Sequence, residues 1–226
     1  MITEIEFVFT PQPQIRRLAF AVGAFTTFFV VAPVLPSAQF FTPLSYLPLH
    51  TALEFVAMAV SLMVFGLGWN LRGEPFNSHI VVLAAAFLAV AVIDFAHAMT
   101  YPGMPSALGE SGAQLTVDFW LAGRGIAALA LLAVAVMPLR TWSPAAALTA
   151  VLVALILSGL VWWISLVHGD WLPANIAPSG TLTAFKVDAE YVLAATYFVS
   201  ALLLLRRPER WRDPDVCFLA AMRGRG

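Results

Sequence analysis

Six apolar stretches, each about 18–25 residues long, constrain the fold of this chain more than any other feature of its sequence. They run from Leu18 to Leu35, Leu47 to Leu71, Ile80 to Tyr101, Val117 to Leu139, Ala145 to Val167 and Leu182 to Leu205. An α-helix needs about 20 residues to cross the hydrocarbon core of a bilayer, so each stretch is long enough for one span. Physical stops close them: Pro36, Arg72 with Gly73, Pro102 with Gly103, Arg140, Gly169 with Asp170, and Arg206 with Pro208. Composition agrees, with 61% of the 226 residues hydrophobic and 11% charged, against about 45–50% and 25% in soluble domains. The expected fold is all-α: a polytopic transmembrane helical bundle of six complete spans. Residues 18–205 form the integral membrane domain, preceded by a cytoplasmic segment, 1–17, and followed by a basic one, 206–226.

Arginine sets the orientation, because Lys and Arg in short loops stay on the cytoplasmic side. Arg16 and Arg17 precede the first stretch, Arg72 follows the second, Arg140 the fourth, and Arg206, Arg207, Arg210 and Arg212 the sixth. All eight fall on one side. The opposite loops, Pro36 to Tyr46, Pro102 to Thr116 and His168 to Thr181, hold no Lys or Arg. Both termini are therefore expected in the cytoplasm of a multi-pass protein of the inner membrane. The first stretch is longer than the core of a signal peptide and reads as a retained span. Beyond the basic segment, Val216 to Met222 begins another apolar run that stops at Arg223. Either the chain is naturally short, or this run starts a truncated seventh helix whose remainder, with whatever follows it, lies outside this chain.

Several functions are excluded early. The single cysteine, Cys217, allows neither a disulfide framework nor a Cys-rich zinc site. A net charge of −1 gives no sign of nucleic-acid binding. There is no Gly-x-Ser-x-Gly, phosphate loop or kinase signature, so no enzymatic activity is expected of this chain.

Seven charged residues lie inside the predicted spans: Glu54, Asp94, Asp118, Arg124, Lys186, Asp188 and Glu190. Each costs about 2.5 kcal/mol or more at a bilayer centre, so such groups are normally paired or face a cavity, and they mark function. With the orientation above, all seven fall in the outer half of the membrane. Helical spacing groups them further. His50 with Glu54, Asp94 with His97 and Tyr101, Trp120 with Arg124, and Lys186 with Glu190 each share one helix face. Four helices can thus turn polar stripes toward one cup open to the outside, with Asp118 and Asp188 at its rim.

Structural readings stand beside this one. Lys186 and Glu190 can form a simple i,i+4 ion pair, and Arg124 can clamp helices through Asp94, Glu54 or Glu190. His79 and His168 read as ordinary loop or interface residues. Trp142, Trp162, Trp163, Trp171 and Trp211 read as interfacial belts.

Three chemistries suit the cup. His50, Glu54, Asp94 and His97 form two His-carboxylate pairs on separate helices, a ligand set for a metal ion or haem. Arg124, Lys186 and the carboxylates could instead recognise a small molecule or proton from outside. Lys186, the only lysine, could carry a retinal-type chromophore, but it lies near a helix mouth, whereas an amine nucleophile needs desolvation. A transporter or channel would use the same groups to line a path, yet the inner half offers no polar residues to complete it.

The runs LPLHTALEFVAMAVSL (Leu47 to Leu62), VIDFAHAMTYPGM (Val92 to Met104), QLTVDFWLAGR (Gln114 to Arg124) and GTLTAFKVDAEYV (Gly180 to Val192) resemble the membrane-associated sensor domain of the third MASE class. That class stands at the N-termini of bacterial and archaeal histidine kinases, diguanylate cyclases and other signalling proteins. The resemblance rests on His50 and Glu54; Asp94, His97, Tyr101 and Gly103; Trp120 and Arg124; and Phe185, Lys186, Glu190 and Tyr191. It implies a sensory input module whose partners are the lipid bilayer, a small ligand and a cytoplasmic output of two-component or cyclic di-GMP signalling. A homodimer is expected if that output is a kinase or cyclase.

Overall fold

The computed structural model describes residues 43–105 and 111–206, together with the isolated helical positions Phe20, Ala24 and Thr27. The first predicted span otherwise lies outside the described residues, as does the proposed seventh helix. The chain divides into two compact units, Met1–Tyr46 and Leu47–Gly226, and the site built below lies in the second. Five helices make up the described structure: α1 (Pro43–Asn70), α2 (Ser78–Met99), α3 (Ala113–Val136), α4 (Pro144–Val167) and α5 (Ala184–Leu205). All five are long and apolar enough to cross a membrane. Among the described residues there are no strands, only an isolated bridge between Ile176 and Leu182.

The helix boundaries have local causes. Met137 adopts an extended conformation before Pro138, which ends α3 at Val136, three residues before the predicted end at Leu139. Ser143 caps α4, accepting from the Ala146 amide, with Pro144 in the first turn. Thr183 caps α5 by accepting from the Lys186 amide, and Leu182 remains in the preceding loop.

Helix α2 is the hub, packing most closely on α3 and also on α4, while α5 lies against α3. Its buried face is built from Ala84, Ala85, Ala89, Ala96 and Ala98, with Val81, Val90 and Ile93. Small side chains let helices approach closely where lipid gives no hydrophobic drive to associate. Ala85 and Ala89 meet Ala154 of α4, and Ile93 and Ala96 meet Phe119 of α3. Trp162, expected in an interfacial belt, packs against this second cluster. Its indole donates to the Val92 carbonyl at 3.3 Å, and its ring meets Phe119 edge-on.

One end of the bundle is closed by neutral hydrogen bonds. The Asn77 amide donates to the Arg72 and Trp142 carbonyls and accepts from the Trp142 amide at 2.7 Å. Ser78 and Arg140 exchange bonds of 3.0 Å, and the His79 ring meets the Met137 carbonyl at 3.1 Å. Near this end α1 crosses α2 at Gly68, where a Cβ would stand 2.7 Å from the Cβ of Ala84. Gly68→Val should therefore destabilise the bundle by about 1–3 kcal/mol through overpacking. Gly66→Val should cost much less, since nothing lies within 4 Å of that position. Denaturant unfolding in detergent micelles, comparing the two variants, measures the difference.

Candidate functional site

At the opposite end of the bundle, the start of α1, the end of α2 and the start of α3 meet. Helix α2 stops at Met99 and turns through Gly103, whose φ of +94° suits glycine. The Thr116 hydroxyl of α3 donates to the Thr100 carbonyl at 2.7 Å and binds α3's first turn to this corner. The Thr51 hydroxyl of α1 donates to the Leu47 carbonyl, 2.8 Å away. His50 and Glu54, one turn apart on α1, face His97 of α2 and Tyr101 in the turn that follows it.

The His50 and His97 rings meet edge to face with centroids 5.8 Å apart, and the Tyr101 ring lies 4.1 Å from that of His50. His97 is the pivot. Its Nδ1 lies 2.8 Å from the Thr116 carbonyl, which can only accept, so Nδ1 carries a hydrogen. Its Nε2 consequently points at Glu54, with Oε1 3.6 Å away. The second Glu54 oxygen, Oε2, is buried and has no hydrogen-bond partner among the described residues. One ligand atom from each of His50, Glu54 and His97 lies within 4.8 Å of the others.

Next to this triad, Asp94 is 1% exposed and takes the Arg124 guanidinium at 3.2 and 3.3 Å. Asp94 is thus placed against Arg124, and the third residue beside the two histidines is Glu54. Gly123 makes room for the pair: a Cβ there would stand 3.0 Å from Asp94 Oδ1. The Tyr197 hydroxyl of α5 donates to the Arg124 carbonyl at 3.0 Å.

Lys186 forms a separate group with α3 and its own helix. It is 5% exposed, donates to Glu190 at 2.5 Å, and sits 4.0 Å over the Trp120 ring. The Glu190 side chain is 46% exposed, and Tyr191 is 72% exposed on α5. The residues expected to line one cup therefore meet in two polar groups, one around His97 and Asp94 and one around Lys186, and the exposed Tyr191 joins neither.

A third polar node was not foreseen. Asp118 accepts from Gln114 at 2.9 Å and from the buried Asn175 at 2.5 Å. Gln114 in turn accepts from the backbone amides of Asn175 and Ile176. Together they fasten the loop between α4 and α5 onto α3. Gln114 lay in a run already singled out, but a loop asparagine carries no periodic signal. Thr116 acts partly through its backbone carbonyl, Tyr197 through a bond to the main chain of Arg124, and Gly123 through the absence of a side chain, so residue chemistry alone did not mark them.

Residues 41–223 match the MASE3 membrane-associated sensor domain. The chain belongs to this family. No curated protein and no solved structure matches it. MASE3 membership makes the polar end of the bundle part of a membrane-associated sensory domain and fits a multi-pass membrane protein.

Two outcomes test this geometry. Arg124→Ala strands a buried carboxylate and should destabilise the domain by about 3 kcal/mol, toward the low end of such losses because the Arg124 side chain is 31% exposed. Adding Asp94→Ala should recover about 1 kcal/mol, read by a double-mutant cycle of unfolding free energies. Asn175→Ala should speed amide hydrogen exchange in the α4–α5 loop about tenfold or more, because hydrogen bonds to charged groups contribute roughly 1.5–3 kcal/mol.

Proposed function

We propose that this MASE3 domain is the signal-input module of a bacterial signalling protein, with the His50–Glu54–His97–Tyr101 group and the adjoining Asp94–Arg124 pair as its receiving site. Family membership supports the sensory role. The observation that carries the location is the meeting of ionisable side chains from α1, α2 and α3 in one group. In this reading six spans cross the inner membrane with both termini in the cytoplasm, and residues 18–205 form the membrane domain. The receiving site then opens to the outer side and takes an extracytoplasmic or membrane-dissolved ligand. Lys186, Glu190 and Trp120 couple α5 to α3, and the basic segment after α5 leads to a histidine kinase or diguanylate cyclase, acting as a homodimer.

A ligand biases such a module only by binding two arrangements of the helices with different affinity. Fusing the chain to a diguanylate cyclase and measuring cyclic di-GMP in cells tests the reading. Arg124→Ala and Glu54→Gln should each shift basal output about fivefold or more, the lower end of ordinary coupling between sites. Equal output from these variants and the native fusion, at matched expression, would overturn it. Reporter fusions after Arg206 and within the α4–α5 loop test the orientation: the first should report cytoplasm and the second the outer side.

A further inference from the structure

We infer that His50, Glu54 and His97 form a binding site for a divalent first-row transition-metal ion, and that the ion draws the start of α1 onto α2. This rests on the input-module reading only for the ion's role as a signal; the site itself stands on local geometry.

Three features point to a cation between these side chains. With Nδ1 donating to the Thr116 carbonyl, the Nε2 of a neutral His97 presents its lone pair to the Glu54 carboxylate. Two electron-rich atoms facing each other repel unless a positive charge lies between them. A proton would serve, but hydrogen bonds between such atoms close to about 2.7–3.2 Å. The 3.6 Å between Nε2 and Oε1 lies beyond that range and leaves room for an ion held by bonds of roughly 2.0–2.1 Å. The carboxylate's other oxygen is buried without a hydrogen-bond partner among the described residues. A second imidazole, His50, lies within 4.8 Å of both.

The donor set chooses the class of ion. Two imidazoles and a carboxylate suit zinc and iron(II), cobalt(II), nickel(II) and copper(II), whereas calcium and magnesium call for oxygen ligands throughout. The His97 Nδ1–H bond to a backbone carbonyl is the outer-shell contact that orients a ligating histidine and fixes its tautomer. Bringing atoms up to 4.8 Å apart onto one ion requires a small closure. Helix α1 can supply it, since it packs on the other helices more loosely than they do on one another and is held close to α2 at Gly68, near its other end.

The test uses the full chain, purified without a polyhistidine tag, stripped with a chelator and titrated with zinc(II) in detergent or nanodiscs. Calorimetry and elemental analysis should give one zinc per chain. His97→Ala and Glu54→Gln should each weaken binding by at least the roughly 10–100-fold that loss of an outer-shell partner costs. His168→Ala, in a loop where its ring stacks on Trp171, should bind as the native chain does. Should a triad variant fail to fold, X-ray absorption on the zinc-loaded native chain decides instead, with two imidazole ligands expected. No stoichiometric zinc, equal affinity in the triad variants, a coordination shell without imidazole, or a stoichiometric haem would each overturn the inference. A chain that binds no metal yet still switches a fused cyclase overturns the metal site alone. A chain that binds zinc through the triad while its fused output never responds to any variant overturns the input reading alone.

Discussion

Asp94 and Arg124 set the terms on which this bundle can assemble. Asp94 is 1% exposed on the helix that occupies the middle of the fold, where a lone carboxylate would carry a desolvation cost of several kcal/mol. Arg124 offsets that cost only if α3 presents its guanidinium at the height of Asp94, and the absence of a side chain at Gly123 keeps the approach open. The pair therefore fixes the register of α2 against α3. Other features of the site follow from that register. It brings the Thr116 carbonyl to His97, which fixes the ring's hydrogen, and it places Trp120 where Lys186 can cover it.

The two ends of the bundle are built from different materials. At one, Asn77, Ser78 and His79 tie loops together through backbone groups, and Gly68 brings α1 against α2. At the other, α1 meets α2 and the turn after it through ionisable side chains and through tilted or edge-on ring contacts. Neutral backbone bonds hold one geometry with little dependence on what binds. A His–Glu–His group changes its preferred spacing with the charge placed inside it. A helix held closely at one end and through such a group at the other is suited to pivot.

Much of this was legible in the sequence because a bilayer makes charge costly. The i,i+4 spacing of His50 and Glu54, and the i,i+3 spacing of Asp94 and His97, put them on single faces. Orientation arguments then gathered them at one end, and Arg124 needed a carboxylate for the same reason. Spacing could not choose among carboxylates, since Asp94, Glu54 and Glu190 stood at similar depth; Gly123 beside Asp94 and the 3.2 Å contact make that choice. Nor could it show that α5 turns Lys186 and Tyr197 toward α3 while Tyr191 points away. Asn175 was invisible because loop residues have no period, and Trp162 was misplaced because a span-end position does not say whether a ring faces lipid or a neighbouring helix.

A solute path through the described helices would meet an obstacle in α2. From Ile80 to Ile93 this helix carries no polar side chain, about 20 Å of apolar surface at 1.5 Å per residue. Its inward face there is Val81, Ala84, Ala85, Ala89 and Val90, each buried. Ser158 of α4 lies across from this region, but its hydroxyl donates back to Ala154 of its own helix at 2.8 Å. Along α2 itself, a charged solute leaving the His–Glu–Asp–Arg site would find no hydrogen-bonding side chain over that length, at the several kcal/mol per polar group that hydrocarbon exacts. The same closed contact suits a receptor. In the proposed input module it would confine a ligand to one end and couple that end to the rest of the bundle through close-packed alanines, which transmit displacement because they leave little volume to absorb it.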